Sequence, residues 1–268
     1  LSIAKMPVAQ TNSLIHRTAI ISPQAEIASD VEIGPYAVIA EDVVVDSGTK
    51  IHSYVCLEPG ARIGKNCQIH QGAVIAGRPQ DLKFAGEKTY AYVGDNTVIR
   101  EYVTVSRGTK HRGETRIGEN CFLMAYAHVA HDCILGHNVI LANAVNLAGH
   151  VEIEEYAIVG GVVPVHQFVR IGCHSIIGGG FRVQMDVCPY MLAAGYPLKI
   201  YGLNLVGLKR RGFSDKTIKL LGKAYRILFR SKLNTSEALA KIQAESAITP
   251  EIQNLVSFIQ KSERGIVK

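Results

Sequence analysis

The 268-residue chain contains no tryptophan, only 7% aromatic residues and only 19% charged ones. No apolar stretch approaches the roughly 18 residues that a membrane-spanning helix needs, which excludes such a helix. Charge is too low for a solvated coil and β-branched content too high, so intrinsic disorder is excluded as well. The 25 glycines follow no Gly-X-Y period, which removes a collagen-like fibre. The six cysteines (Cys56, Cys67, Cys121, Cys133, Cys173 and Cys188) form no Cys-X-X-Cys pair and no disulfide-framework spacing. They read as reduced small hydrophobes, in keeping with an intracellular setting. What remains is a globular chain, 47% hydrophobic, long enough for one sizeable domain and a small second one.

Acid is scarce in two places. Between Lys199 and Lys232 ten basic residues stand against the single acid Asp215, in a chain of net charge +6. With few aromatics to stack on bases, this patch points away from nucleic acid and towards an acidic protein or a phosphorylated ligand. Before Glu26 there is no acidic residue, while Lys5, His16 and Arg17 are present. Residues 1–16 therefore resemble the tail of an organelle transit peptide or a flexible bacterial leader.

An aliphatic residue falls at every sixth position from Ile21 to Ile75, again at Val93, Ile99 and Val105, and then from Ile117 to Val183, always in the same frame. A second, usually small residue precedes many rungs by two, as at Ala19, Ala25, Ala37, Ala127 and Cys133. A period of six fits neither a helix nor a long alternating strand. It fits short strands wrapped round a triangular prism, one hexad per face, with each aliphatic residue pointing inward and three hexads closing a coil of 18 residues. The ladder lapses at residues 78–90 and 107–114, which should leave the prism as loops, the places where binding groups tend to sit. After Pro189 the rhythm turns helical. Ser214 can cap a helix over about 215–230, Ser236 a second, and Thr249 followed by Pro250 a third. The expected organisation is a leader over 1–16, a solenoid over 17–190 and a helical domain over 191–268.

Four of the ten histidines, His128, His131, His150 and His166, fall within successive coils. Residues 18 apart stack at ~4.8 Å per step, so the column of His131 contains Gly149 and Gln167, with His150 and His166 one residue away and His128 three. Histidine suits a general base near neutral pH or a metal ligand. Asp132, next in sequence, can fix the tautomer of His131 and support its imidazolium. Gly149 offers an unobstructed N–H for a developing oxyanion. No serine or cysteine carries a nucleophile motif, which favours direct transfer. The other histidines (His16, His52, His70, His111, His137 and His174) have no such company.

The stretches QDLKFAGE (80–87), HVAHDC (128–133), NAVNLAGHVEIEEYAIVGG (143–161), VHQF (165–168) and GLKRRGF (207–213) resemble the UDP-N-acetylglucosamine O-acyltransferase family, from about residue 15 to the C-terminus. The resemblance implies a left-handed parallel β-helix, an all-β solenoid of hexapeptide repeats, followed by a small α-helical domain. It implies transfer of an (R)-3-hydroxyacyl group from acyl carrier protein to the 3-hydroxyl of UDP-N-acetylglucosamine, the first step of lipid A biosynthesis, by a homotrimer with sites between subunits. His131 would be the base, Asp132 its partner and Gly149 the oxyanion donor. His128, His150 and His166 would position substrates. Gln80, Asp81 and Lys83 would contact the sugar and acyl donor, and Gln167, Asn204, Arg210 and Arg211 the nucleotide and its diphosphate. Gly179 would set acyl length, its missing side chain leaving room for a long chain. Val206 stands where many members have a carboxylate near the nucleotide. No metal and no cofactor is required, the acyl group being carried on the phosphopantetheine of the carrier protein, which the basic 199–232 region suits. The compartment would be the bacterial cytoplasm, or the mitochondrion if residues 1–16 are a plant transit-peptide remnant.

Other readings of the same fold are open to test. An N-acyltransferase of the same pathway usually carries an extra N-terminal domain, and a CoA-dependent acetyltransferase would not explain QDLK or the basic tail. A γ-type carbonic anhydrase would need three neutral imidazoles on zinc. A non-catalytic trimeric scaffold would be indifferent to His131→Ala.

Overall fold

The computed structural model describes residues 14–245, 247 and 249–268. The leader expected over 1–16 lies outside the described residues up to 13. Its last three residues already belong to the solenoid, since Ile15 bridges Ile33 and the Ile33 N–H donates to the Leu14 carbonyl.

Each hexad makes a short strand, most of two residues, beginning at Ile20–Ile21, Glu26–Ile27 and Glu32–Ile33. Every third strand pairs in parallel, which sorts them into three faces of eight, eight and ten strands. The inward residue of each strand is a rung of the aliphatic ladder. Leu57, Ile69, Ile75, Ile99, Leu123 and Leu141 are all fully buried, and the small residues two before them (Val55, Cys67, Ala73, Thr97, Cys121 and Val139) fill the space between. The hydrogen bonds run from coil to coil, so no strand is stable without its neighbours. Leu123→Ala is expected to cost about 2–5 kcal/mol of stability, read as a lowered denaturant midpoint, because a rigid stacked column cannot collapse into the cavity.

The residue three past each rung turns the corner, most of them with positive φ, including Tyr36, Tyr54, Asn66, Asn120, Asp132, His150 and Phe168. A side chain in that region costs of order 1 kcal/mol, which the bonds between coils hold in place. Leu57 pairs with Ile75 eighteen residues on, but Ile75 pairs with Val105 and Val105 with Val129. The two extra lengths are the loops after Val74–Gly77 and Thr104–Ser106, and both leave the same corner, the one carrying Asp132, His150 and Phe168.

Helices do not begin at 191. Met191–Ala194 and Lys199–Leu203 extend the third face, the second of them antiparallel, and the helical region starts after Leu203. It comprises α1 (Leu205–Arg210), α2 (Asp215–Phe229), α3 (Thr235–Glu245) and α4 (Pro250–Gln260). Ser214 and Thr249 cap α2 and α4 as the sequence suggested. For α3 the side chain that accepts from the first turn is Asn234, not Ser236. Asn234 Oδ1 takes the Glu237 N–H at 2.9 Å, and Glu237 reaches back to the Asn234 N–H. The six cysteines are free and all but Cys56 are buried, with burial raising their thiols well above the ordinary range. Among the described residues no helix is long and apolar enough to cross a membrane.

Candidate active site

The loop-bearing corner holds a cleft of about 1080 Å³. Gln80, Asp81 and Lys83 form one wall, His128 and His131 the floor, and Gly149, His150, Gln167 and Phe168 the side towards the C-terminus.

His131 is buried, and its Nδ1 lies 2.8 Å from Asp132 Oδ2. Burial alone would raise the Asp132 carboxyl, but hydrogen bonds from His131 and Thr109 outweigh it and hold the group below its ordinary range. The ionised carboxylate can only accept, so Nδ1 carries the proton and Nε2 is left as a base. Gly149 supplies the room: a Cβ there would stand 2.6 Å from His131 Cε1 and 2.8 Å from Nε2. The imidazole therefore rests directly on the Gly149 backbone, whose N–H has no acceptor among the described residues.

Around this pair, His128 Nδ1 meets Thr104 Oγ1 at 2.7 Å, and burial, with His131 beside it, lowers the imidazole's proton affinity. His150 stacks on Phe168 and meets His131 edge-on, with ring centroids 4.5 Å and 5.1 Å apart. Burial lowers His150 too, against the opposing pull of Asp132. The QDLK loop is tied down by an Asx turn, Asp81 accepting the Lys83 N–H at 2.9 Å, and by buried Phe84 beneath the guanidinium groups of Arg78 and Arg107.

One cleft residue had no signal in the sequence. His111, on the second loop, lines the cleft and meets His150 edge-on at 4.7 Å, so it does have the company its sequence position did not suggest. Conversely, His166 lies outside the cleft lining. It is exposed, one coil beyond Ala148 and two beyond Ala130, with Nδ1 turned to the Gln167 carbonyl at 3.1 Å. Asn204, Arg210, Arg211 and Gly179 also lie outside it. Asn204 is buried and caps α1, accepting from the Gly207 N–H and donating to the His174 carbonyl at 2.9 Å. Arg210 is exposed. Arg211 lies over the Tyr156 ring with a buried Nη1 that has no hydrogen-bond partner among the described residues, and burial, with Arg211 beside it, drives His174 down to about 4. Gly179 packs against the Gly161 backbone at another corner, and Val206 is exposed.

His131, Asp132 and His150 also bring three donor atoms within 4.8 Å, enough to consider a metal. Both Asp132 oxygens, however, already accept bonds from Thr109, at 2.9 Å and 2.7 Å, and one also accepts from His131. The donor set therefore fits a hydrogen-bonded base better than a zinc ligand set.

Fold and cleft together define a hexapeptide-repeat transferase with a histidine–carboxylate pair at a coil corner. The bacterial transferase hexapeptide model matches residues 42–77 and 114–149, and the model described as UDP N-acetylglucosamine O-acyltransferase, domain 2, matches 186–267. The chain is 50% identical to the acyl-[acyl-carrier-protein]–UDP-N-acetylglucosamine O-acyltransferase of Thiobacillus denitrificans over 95% of its own length and 99% of that protein. It superposes on the UDP-N-acetylglucosamine acyltransferase from Bacteroides fragilis with a TM-score of 0.93 at 44% identity, covering 95% of this chain and all of that one. The Acinetobacter baumannii structure gives the same score and identity, covering 96% of this chain and all of the other. The chain belongs to the UDP-N-acetylglucosamine O-acyltransferase family. It is an acyltransferase, and its solenoid is a left-handed parallel β-helix followed by C-terminal helices.

Proposed function

We propose that this enzyme transfers an (R)-3-hydroxyacyl group from acyl carrier protein to the 3-hydroxyl of UDP-N-acetylglucosamine, the first step of lipid A biosynthesis. The observation that carries the reading is His131, held through Nδ1 by Asp132 and resting on the backbone of Gly149 inside the cleft. His131 Nε2 takes the proton of the sugar 3-hydroxyl as that oxygen attacks the thioester carbonyl. The tetrahedral oxyanion forms against the Gly149 N–H. Collapse breaks the C–S bond, leaves the ester on the sugar, and returns the proton from the imidazolium to the departing phosphopantetheine thiolate. Asp132 stays ionised throughout. No cofactor and no metal is needed.

Gln80, Asp81, Lys83, His128, His150 and Gln167 line the same cleft and are suited to hold the sugar and acyl donor. His166, Arg210 and Arg211 serve the site from a neighbouring subunit of a homotrimer, and Asn204, whose side chain is spent on capping α1 and on the His174 carbonyl, holds the segment that carries both arginines. Arg211 supports this, since its unpartnered Nη1 is suited to a diphosphate oxygen. The basic 199–232 region suits an acidic carrier protein. Gly179 packs on Gly161 with no side chain between them, which favours a long acyl chain. Cytoplasmic location in a bacterium fits the bacterial relatives. A mitochondrial one would need a leader in residues that lie largely outside those described.

The test is direct. Purified protein is given UDP-N-acetylglucosamine and a series of (R)-3-hydroxyacyl carrier proteins, and the product is weighed by mass spectrometry. The expected product is the 3-O-acylated sugar nucleotide, formed fastest from long donors. Preference for short donors would overturn the Gly179 assignment. No transfer from any donor, with one zinc bound per chain, would overturn the function itself.

A further inference from the structure

The second loop does more than border the cleft. Residues 107–113 fold back over the corner and place Thr109, only 6% exposed, directly against Asp132. The Thr109 N–H donates to Asp132 Oδ1 at 2.9 Å and its hydroxyl to Oδ2 at 2.7 Å; the Arg112 N–H adds a longer bond to Oδ1 at 3.3 Å. The His111 N–H donates to the Thr109 oxygen at 3.3 Å, which leaves the hydroxyl hydrogen to point at the carboxylate. Asp132 is also anchored through its own N–H, which donates to Thr115 Oγ1 at 2.9 Å.

The carboxylate has two imidazoles within reach. His131 Nδ1 lies 2.8 Å from Oδ2, while the buried Nδ1 of His150 lies 3.8 Å from the same oxygen and has no hydrogen-bond partner among the described residues. In the tautomer that carries its hydrogen on Nδ1, His150 has a buried N–H whose nearest acceptor is Oδ2, and a buried N–H without an acceptor is costly, so that tautomer competes for Oδ2. A rotation of the Asp132 side chain towards His150 would satisfy that ring and strip His131 of the partner that fixes its tautomer.

We propose that Thr109 is a positioning residue whose hydroxyl pins Oδ2 of Asp132 to His131 and denies it to His150. This rests on His131 being the base. Thr109 borders the cleft, but its hydroxyl is spent on Asp132, so it acts through the carboxylate. The group recognised is therefore internal, and the consequence is a rate rather than an affinity.

The experiment compares Thr109→Val, Thr109→Ala and Thr109→Ser with wild type in steady-state transfer, with thermal unfolding of each and with His131→Ala as a control. Valine keeps the shape and the N–H bond but removes the hydroxyl, and alanine repeats the loss with less bulk. A hydrogen bond to a charged group is worth about 10-fold or more. The valine and alanine variants are therefore expected to lose about 10-fold in kcat, with KM for both substrates changed less than about 2-fold, and serine to recover most of the rate. The inference is overturned if valine and alanine retain wild-type kcat, or if serine is as impaired as valine and all three lose stability in parallel, which would mark a merely structural role. If His131→Ala itself keeps full activity, the base assignment has failed and this inference with it. If that control is inactive while the Thr109 variants are unchanged, the inference alone has failed.

Discussion

His131→Ala is expected to lower kcat by about 10² to 10⁴, the range that a positioned general base supplies, with KM for the sugar nucleotide changed far less. The sugar hydroxyl is too weak an acid to attack a thioester unaided, and the cleft offers no better base. His128 has its Nδ1 on the Thr104 hydroxyl, and burial lowers its proton affinity. His150 is likewise lowered by burial, and its Nδ1 faces a carboxylate already engaged elsewhere. Of these three, His131 combines a carboxylate at 2.8 Å on one nitrogen with the bare backbone of Gly149 against its ring. Transfer of a fixed donor by wild type and variant at equal concentration checks the point, with unfolding curves to show that the buried solenoid is intact. Wild-type activity in the variant would remove the mechanism and leave the scaffold reading standing.

How much of this was legible beforehand follows from what produces period in a sequence. The solenoid was readable because each hexad repeats the same inward contact, so Leu57, Ile75, Leu123 and Leu141 sit in one frame and are buried together. Its frame also put His131, Gly149 and Gln167 in one column, and all three line the cleft. The ejected loops could be located but not folded. His111 and Thr109 reach the corner through a loop conformation with no period, held by two hydrogen bonds from Thr109 to Asp132, more than twenty positions away. A column also says nothing of how far a side chain turns, and His166, one residue off the column and exposed, points its Nδ1 to its own neighbour's carbonyl. Strands at 191–203 escaped notice because prolines at 189 and 197 broke the hexad rhythm that marked the others. The cap of α3 was within reach: Asn234 with Glu237 three residues later is a capping-box pattern, and Ser236 is merely a good cap residue two positions on.

Gly149→Ala is the harsher test of the same geometry, because it adds one carbon and removes no functional group. The backbone at 149 lies outside the left-handed region, so alanine is conformationally acceptable there. The three nearest atoms all belong to the imidazole, with Cε1 at 2.6 Å and Nε2 at 2.8 Å. Real Cβ atoms do not approach so closely, and the ring cannot withdraw freely because Asp132 holds Nδ1 from the other side. Either the Asp132 bond lengthens or Nε2 is driven away from the point where the hydroxyl and the Gly149 N–H must meet. A displacement approaching 1 Å in a reacting pair costs about 10²-fold, so kcat is expected to fall by about that factor while the unfolding midpoint moves little. Gly202→Ala, on the Lys199–Leu203 strand where a Cβ would meet nothing within 4 Å, should keep wild-type kcat. Equal activity in the two variants would mean that the ring does not work from where it lies. Loss in Gly149→Ala alone would tie catalysis to the stacking of one imidazole on one bare backbone, a contact that the eighteen-residue coil brings about by setting His131 and Gly149 one turn apart.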